Sequence, residues 1–272
     1  MNLTIQRSSK QRGLSLIEVM VAMVIGSFLI LGITQIFISN QKSYLFQQGQ
    51  AGNQENGRFT LAILSQELSK AGYRSNPTNQ EYTFPNPSSG TVSGCNFVSG
   101  AGASVTAISA TSLCIQYQVS NLASVTCQGT ALSAADKAII IKPYTQLTSI
   151  APSAVVVVER IDFDPLTNSV TCTIGATTQQ LVTGVADIRF DYGSGSTETE
   201  TITEFGPTST QTVRAIRYSA LMQSISPAAV RDTSDTPKVL ADWNTRYAGT
   251  VIDKTKIYQI VQGTVMLRNL MK

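Results

Sequence analysis

From residue 14 to residue 38 the chain reads LSLIEVMVAMVIGSFLILGITQIFI, an uninterrupted apolar run whose single charge is Glu18. As a helix this run spans roughly 37 Å, enough to cross a hydrocarbon core of ~30 Å. Arg7, Lys10 and Arg12 precede it, and the next basic residue is Lys42. The positive-inside rule then places the amino terminus in the cytoplasm and the remainder across the membrane. A secretory signal would have a shorter apolar core and a small-residue cleavage site after it. A plain signal anchor would satisfy the hydropathy by itself, but it gives no reason for the carboxylate.

An ionised carboxylate inside a bilayer costs at least a few kcal/mol unless it meets a partner. A new cationic amino terminus is a natural one. A cut after Gly13, in Lys10-Gln11-Arg12-Gly13-Leu14-Ser15-Leu16-Ile17-Glu18, would create it close by and keep the apolar run.

The segment Gly13-Leu14-Ser15-Leu16-Ile17-Glu18-Val19-Met20-Val21-Ala22 resembles the processing motif of type IV prepilins and pseudopilins. The resemblance implies that a membrane-embedded prepilin peptidase cuts after Gly13 and methylates the new terminus at Leu14. It implies that Glu18 meets a neighbouring subunit's terminal amine during assembly. Leu14 departs from the phenylalanine that the family most often places there.

Composition removes other classes. The chain has no histidine, which takes away the usual general base, the commonest zinc ligand and any Ser-His-Asp or Cys-His site. Twenty Lys/Arg face seventeen Asp/Glu, and without Arg7, Lys10 and Arg12 the balance is zero. A nucleic-acid binder carries a basic excess over its folded part, so no direct nucleic-acid partner is expected.

The helical pattern continues beyond the membrane. Leu61, Leu64, Leu68 and Ala71 form one apolar stripe with Phe59 and Ile63 beside it, while Gln66, Glu67 and Lys70 are expected away from it. Gly72 and Ser75-Asn76-Pro77 supply the stop. Gly26 and Gly32 read as close-packing positions, since Ala22 and Gly26 make a small-xxx-small pair. Gly49, Gly52 and Gly57 lie in a Gln/Asn-rich stretch where the helix is expected to fray or bend.

After Gly72 the character changes. Residues 75–94 are rich in Pro, Asn and Ser and read as a loop. Short β-branched runs follow at 105–109, 113–119, 138–142, 154–161, 170–174, 185–192, 213–222 and 257–268. Within the seventh, Ile216 and Tyr218 mark a half-buried face. Strands without intervening helices predict a mostly antiparallel sheet that the long helix covers. Residues 193–212, half of them Ser or Thr, and residues 224–249 read as surface loops, either solvated insertions or partner-binding loops, and Trp243 in the second leaves partner binding and pinning to the core equally open.

Cys95, Cys114, Cys127 and Cys172 all fall in the part placed outside the cytoplasm, where an even count implies disulfides. The sequential pairing, Cys95–Cys114 and Cys127–Cys172, is favoured, and the crossed pairings stay open. Asp162 and Asp164 share one side of a strand that runs into Asp164-Pro165, and read as a solvated turn. Glu198, Glu200 and Glu204 read as solvated loop residues. No phosphate loop, nucleophile elbow or metal-ligand spacing occurs, so no catalytic residue, cofactor or metal is expected.

Two later segments narrow the resemblance. Residues 181–193, LVTGVADIRFDYG, are similar to a segment shared by the PilW-like minor pilins and the J-type minor pseudopilin of type II secretion. Val213-Arg214-Ala215-Ile216-Arg217-Tyr218-Ser219-Ala220-Leu221 and Val265-Met266-Leu267-Arg268-Asn269-Leu270 resemble the following and last strands of PilW-like chains. The expectation is an α+β, pilin-like chain with four parts: a leader at 1–13, a transmembrane and filament-core helix at 14–39, its amphipathic continuation at 40–74, and a β-rich head at 75–272. The resemblance implies a non-enzymatic minor pilin that primes type IV pilus assembly and sits at or near the tip. A secretion pseudopilin is the alternative. Implied partners are other minor pilins, the major pilin, the prepilin peptidase, the inner-membrane assembly platform and a tip adhesin. The implied location is the bacterial inner membrane with a periplasmic head, then the extracellular pilus.

Overall fold

The computed structural model describes residues 13, 15–74, 91–97, 104–119, 121–139, 155–195, 201–208, 212–224 and 234–267. A single helix, α1 (Leu16–Ser69), runs for roughly 80 Å. Its last turn tightens as the amides of Lys70 and Ala71 reach back to the carbonyls of Glu67 and Leu68. Gly72 then turns the chain with φ +74°, a left-handed conformation that favours glycine.

The head is built from two antiparallel sheets rather than one. Strands β1 (Val105–Ser109), β2 (Ser112–Gln118), β3 (Val156–Asp164), β4 (Ser169–Ile174) and β5 (Thr177–Thr183) form a five-stranded meander in that order. Strands β6 (Val185–Gly195), β7 (Glu204–Gly206), β8 (Thr212–Gln223) and β9 (Tyr258–Met266) form a four-stranded sheet in the order β7-β6-β8-β9. Their inner faces and the second half of α1 enclose one apolar core, with Leu64, Leu68, Leu113, Ile161, Ile188 and Ile216 fully buried. Each leucine that α1 contributes stabilises the packed state by roughly 2–3 kcal/mol.

Four further sequence expectations are corrected. The run at 138–142 is no strand where it is described: α2 (Ala134–Ile139) occupies its start, and residues 140–142 lie outside the described residues. The reason is a reciprocal cap, in which the Asp136 amide donates to Ser133 Oγ at 3.0 Å and that hydroxyl donates to the Asp136 carboxylate at 2.6 Å. The supposed loop at 224–249 contains α3 (Lys238–Tyr247), whose Leu240 and Trp243 are buried against Leu221 and Tyr258 on the outer face of the second sheet. The supposed loop at 193–212 contributes the ends of β6 and β8 and the short β7 between them.

The fourth correction concerns the glycine stretch. Helix α1 passes through it unbroken, and two of its glycines form the seam against the head. A Cβ at Gly57 would stand 2.8 Å from Val261 Cγ1, and one at Gly49 would stand 3.0 Å from Ile257 Cδ1. The same seam places Asn53 Nδ2 as donor to the Ile257 carbonyl at 2.7 Å. The Tyr218 hydroxyl donates to the Leu61 carbonyl at 3.0 Å. Gly57→Leu should therefore destabilise the head–helix seam by roughly 1–3 kcal/mol, even though leucine is the better helix former by about 1 kcal/mol. Gly52 has open space around its missing Cβ, so Gly52→Ala should leave stability unchanged or raise it by up to about 1 kcal/mol. Denaturant titration of both variants in detergent, followed by Trp243 fluorescence, checks the opposite signs.

Candidate functional site

The first turn of α1 is the place that the sequence singled out. Gly13 is exposed, and Leu14 lies outside the described residues. Ser15 stands at the N-cap, its carbonyl accepting from the amides of Glu18 and Val19 at 3.0 and 3.2 Å. Glu18 lies exposed on that turn, one helical turn past the Gly13–Leu14 junction. The acid also lies near the positive end of a very long helix, which favours a negative charge there.

Nothing in the head covers the helix that follows. Leu16, Phe28, Ile30 and Leu31 each expose two thirds or more of their surface. The most apolar eighteen-residue window has a mean hydropathy of 2.5 and no buried residue. Its hydroxyls are satisfied inside the helix: Ser27 Oγ donates to the Met23 carbonyl at 2.8 Å and Thr34 Oγ1 to the Ile30 carbonyl at 2.7 Å. A helix with an apolar surface all round and its hydroxyls turned onto its own backbone suits lipid or other helices, not water.

A second cluster was not foreseen. At the far end of α1, Glu67 is almost fully buried and pairs with Lys70 at 2.5 Å, so the sequence reading that put it away from the apolar face is corrected. Lys70 Nζ also sits 5.5 Å above the Tyr117 ring and 3.4 Å from the Val125 carbonyl. Glu159, fully buried on β3, accepts from the Tyr117 hydroxyl at 2.7 Å and from the Cys127 amide at 2.9 Å, both through Oε1. Its Oε2 finds no hydrogen-bond partner among the described residues. Burial pushes the Glu159 carboxyl up to about 7; Lys70 opposes this and the Glu67 charge adds to it. Burial, with the Glu159 charge second, also holds the Tyr117 hydroxyl well above its ordinary range. The lone acid inside the apolar run Val155-Val156-Val157-Val158-Glu159 was the signal available in the sequence.

Cys95 is bonded to Cys114, and Cys127 to Cys172. The second bridge lies beside Glu159, and these three residues are the one described group whose atoms could crowd around a metal ion. With both sulfurs committed to the disulfide, no thiolate is offered.

The remaining acids match a solvated role. Asp162 pairs with Arg160 at 2.5 Å. Asp164 accepts from the Thr167 hydroxyl and the Leu166 amide, which hold it below the usual carboxylate range. Glu204 is exposed on β7, while Glu198 and Glu200 lie outside the described residues. A cleft of about 340 Å³ opens on the outer face of the second sheet, lined by Arg189, Asp191, Pro207, Arg217, Arg246 and Tyr247. It presents a single carboxylate, Asp191.

Two comparisons with known families match this geometry. Residues 8–34 match the prokaryotic N-terminal methylation motif, which spans Gly13, Glu18 and the exposed apolar helix. Residues 165–269 match the type IV pilus-assembly protein W family, covering the head from the β3–β4 turn through β9. No curated protein and no solved structure shows a significant match to the chain.

Proposed function

From the matches of residues 165–269 to the type IV pilus-assembly protein W family and of residues 8–34 to the N-terminal methylation motif, we propose that this chain is a PilW-like minor pilin, a non-enzymatic subunit that primes pilus assembly and is carried at or near the tip. The observation that carries the reading is the methylation motif set directly on a helix whose apolar surface the head leaves bare. In this reading α1 stores the subunit in the inner membrane, with the amino terminus in the cytoplasm and the head in the periplasm. Prepilin peptidase cuts after Gly13 and methylates Leu14. The new terminal ammonium of a neighbouring subunit then pairs with Glu18 as the assembly platform extrudes the helix. Pairing offsets the cost of holding a carboxylate among lipid chains, so docking is favoured only when the neighbour is present and processed.

Its partners in this reading are the other minor pilins, the major pilin and a tip adhesin. The size of the head supports a low-copy role, because a filament of many copies is built from a more compact subunit.

The test is the amino-terminal residue and intact mass of the protein from cells with and without the peptidase. The expected result is a chain starting at methylated Leu14 only when the peptidase is present. A chain that keeps Met1, or is cut after the apolar run, sinks the reading. Glu18→Ala should be processed normally and lose most surface pili; normal piliation in that variant removes Glu18 from the mechanism.

A further inference from the structure

On the outer face of the second sheet two arginines meet two carboxylates, and α3 brings a third guanidinium, Arg246, beside them. Arg189 directs Nε and Nη2 at Asp187 Oδ2, at 3.1 and 2.7 Å. Arg217 directs the same two atoms at Asp191 Oδ2, at 3.0 and 2.8 Å. Each arginine thus spends two donors on one carboxylate oxygen, and its Nη1 has no partner among the described residues. Asp187 is further engaged, accepting from Trp243 Nε1 at 2.9 Å and from the Ile188 amide at 2.9 Å. Arg246 stands exposed on the last turn of α3. It lies 5.2 Å from the Tyr247 ring centroid and meets no carboxylate among the described residues.

These three guanidinium groups line the one cleft described above, about 340 Å³ in volume. The Phe205 ring, 4.7 Å from Arg217 Cζ, and the Asp191 carboxylate hold Arg217 in place from two sides. Preorganised donors lose little freedom when a ligand arrives. The planar fork of arginine matches a carboxylate, which can take two parallel N–H donors. Counting Asp187 and Asp191, the cleft keeps an excess of one cation, which suits a short acidic segment better than a nucleic-acid backbone.

We propose that this cleft is a carboxylate-binding site for an acidic segment of a protein partner, with Arg246 and the Nη1 groups of Arg189 and Arg217 as its donors. The proposal concerns the head surface alone and stands or falls separately from the processing and role of Glu18.

The test uses the full chain in detergent at low ionic strength and three labelled probes followed by fluorescence anisotropy: a glutamate-rich peptide, its glutamine counterpart and a short DNA duplex. The glutamate peptide should bind. The glutamine peptide, and the glutamate peptide on Arg246→Glu, should bind about tenfold more weakly or worse. Lys238→Glu makes the same charge change at the exposed other end of α3 and should change binding by less than about twofold. Failure of the glutamate peptide to bind overturns the proposal. Equal losses at Lys238 and Arg246 overturn it as non-specific attraction, and duplex binding as tight as the peptide's overturns it in favour of a polyanion surface.

Discussion

A chain carrying Ser at both Cys127 and Cys172 will unfold roughly 10 °C below the parent, because the bridge closes a long loop. The sequence separation is 45 residues, against 19 for Cys95–Cys114. In the chain-entropy account the longer loop contributes about 4 kcal/mol and the shorter about 3. The segment around Cys127 is also held by hydrogen bonds to the rest of the chain. Gln128 Nε2 donates to the Thr177 carbonyl at 2.7 Å, Lys70 reaches the Val125 carbonyl, and the Cys127 amide donates to Glu159. Thermal unfolding of the detergent-solubilised double variant, read by the fluorescence of Trp243, checks the shift. A change no larger than that of the Cys95→Ser/Cys114→Ser variant would show that the longer bridge carries no extra stability.

The second large effect is a dependence on pH centred on Glu159. Its carboxyl sits at about 7 in the folded head against an ordinary value of 4.5, so the folded state holds the proton more tightly than the unfolded chain. Stability from this group is therefore fully present below the lower value and falls as pH rises, until the folded carboxyl has ionised. Across that window the loss is about 3 kcal/mol. The charges that face the group are Glu67 and Lys70 from α1, with the Tyr117 hydroxyl from β2 and the Cys127 amide from the loop. Glu159→Gln keeps an acceptor for the tyrosine and the amide but cannot ionise. It should match the parent near pH 4 and exceed its stability near pH 8 by up to about 3 kcal/mol. Denaturant titrations at both pH values decide the matter: equal slopes with pH in parent and variant would remove Glu159 as the origin.

The two effects meet at one place, since the disulfide holds the Cys127 amide over the carboxylate. Double-variant measurements should show coupling rather than simple addition.

Much of the fold was readable because its signals are local. The apolar run, the leucine stripe and the alternating β-strands each report their state within a few residues. The strands observed at Val105–Ser109, Ser112–Gln118, Val156–Asp164, Ser169–Ile174, Val185–Gly195, Thr212–Gln223 and Tyr258–Met266 lie within a few residues of their expected positions. What was missed had weak or masked local signals. Strand β5 reads TTQQLVT and is mostly exposed at a sheet edge, so no alternation marks it. Strand β7 has three residues and exists because β6 pairs with it. Helix α3 did carry a signal, with Val239, Leu240, Trp243 and Tyr247 at helical spacing, hidden behind Pro237 and polar neighbours.

By itself the sequence determined the amino-terminal half of this protein's chemistry. Basic residues ahead of Gly13, a carboxylate at Glu18 and a long apolar run are set by order and spacing alone, and they need no distant residue to have meaning. The tertiary structure alone decided the rest. It turned a stretch of glycines from a weak point into a docking seam, because only the approach of Val261 and Ile257 makes their missing side chains matter. It buried Glu159 beside Tyr117 and a disulfide, and it gathered Arg189, Arg217 and Arg246 around one cleft. These arrangements depend on the register between strands far apart in the chain. A register brings together residues whose spacing in sequence carries no periodic signal.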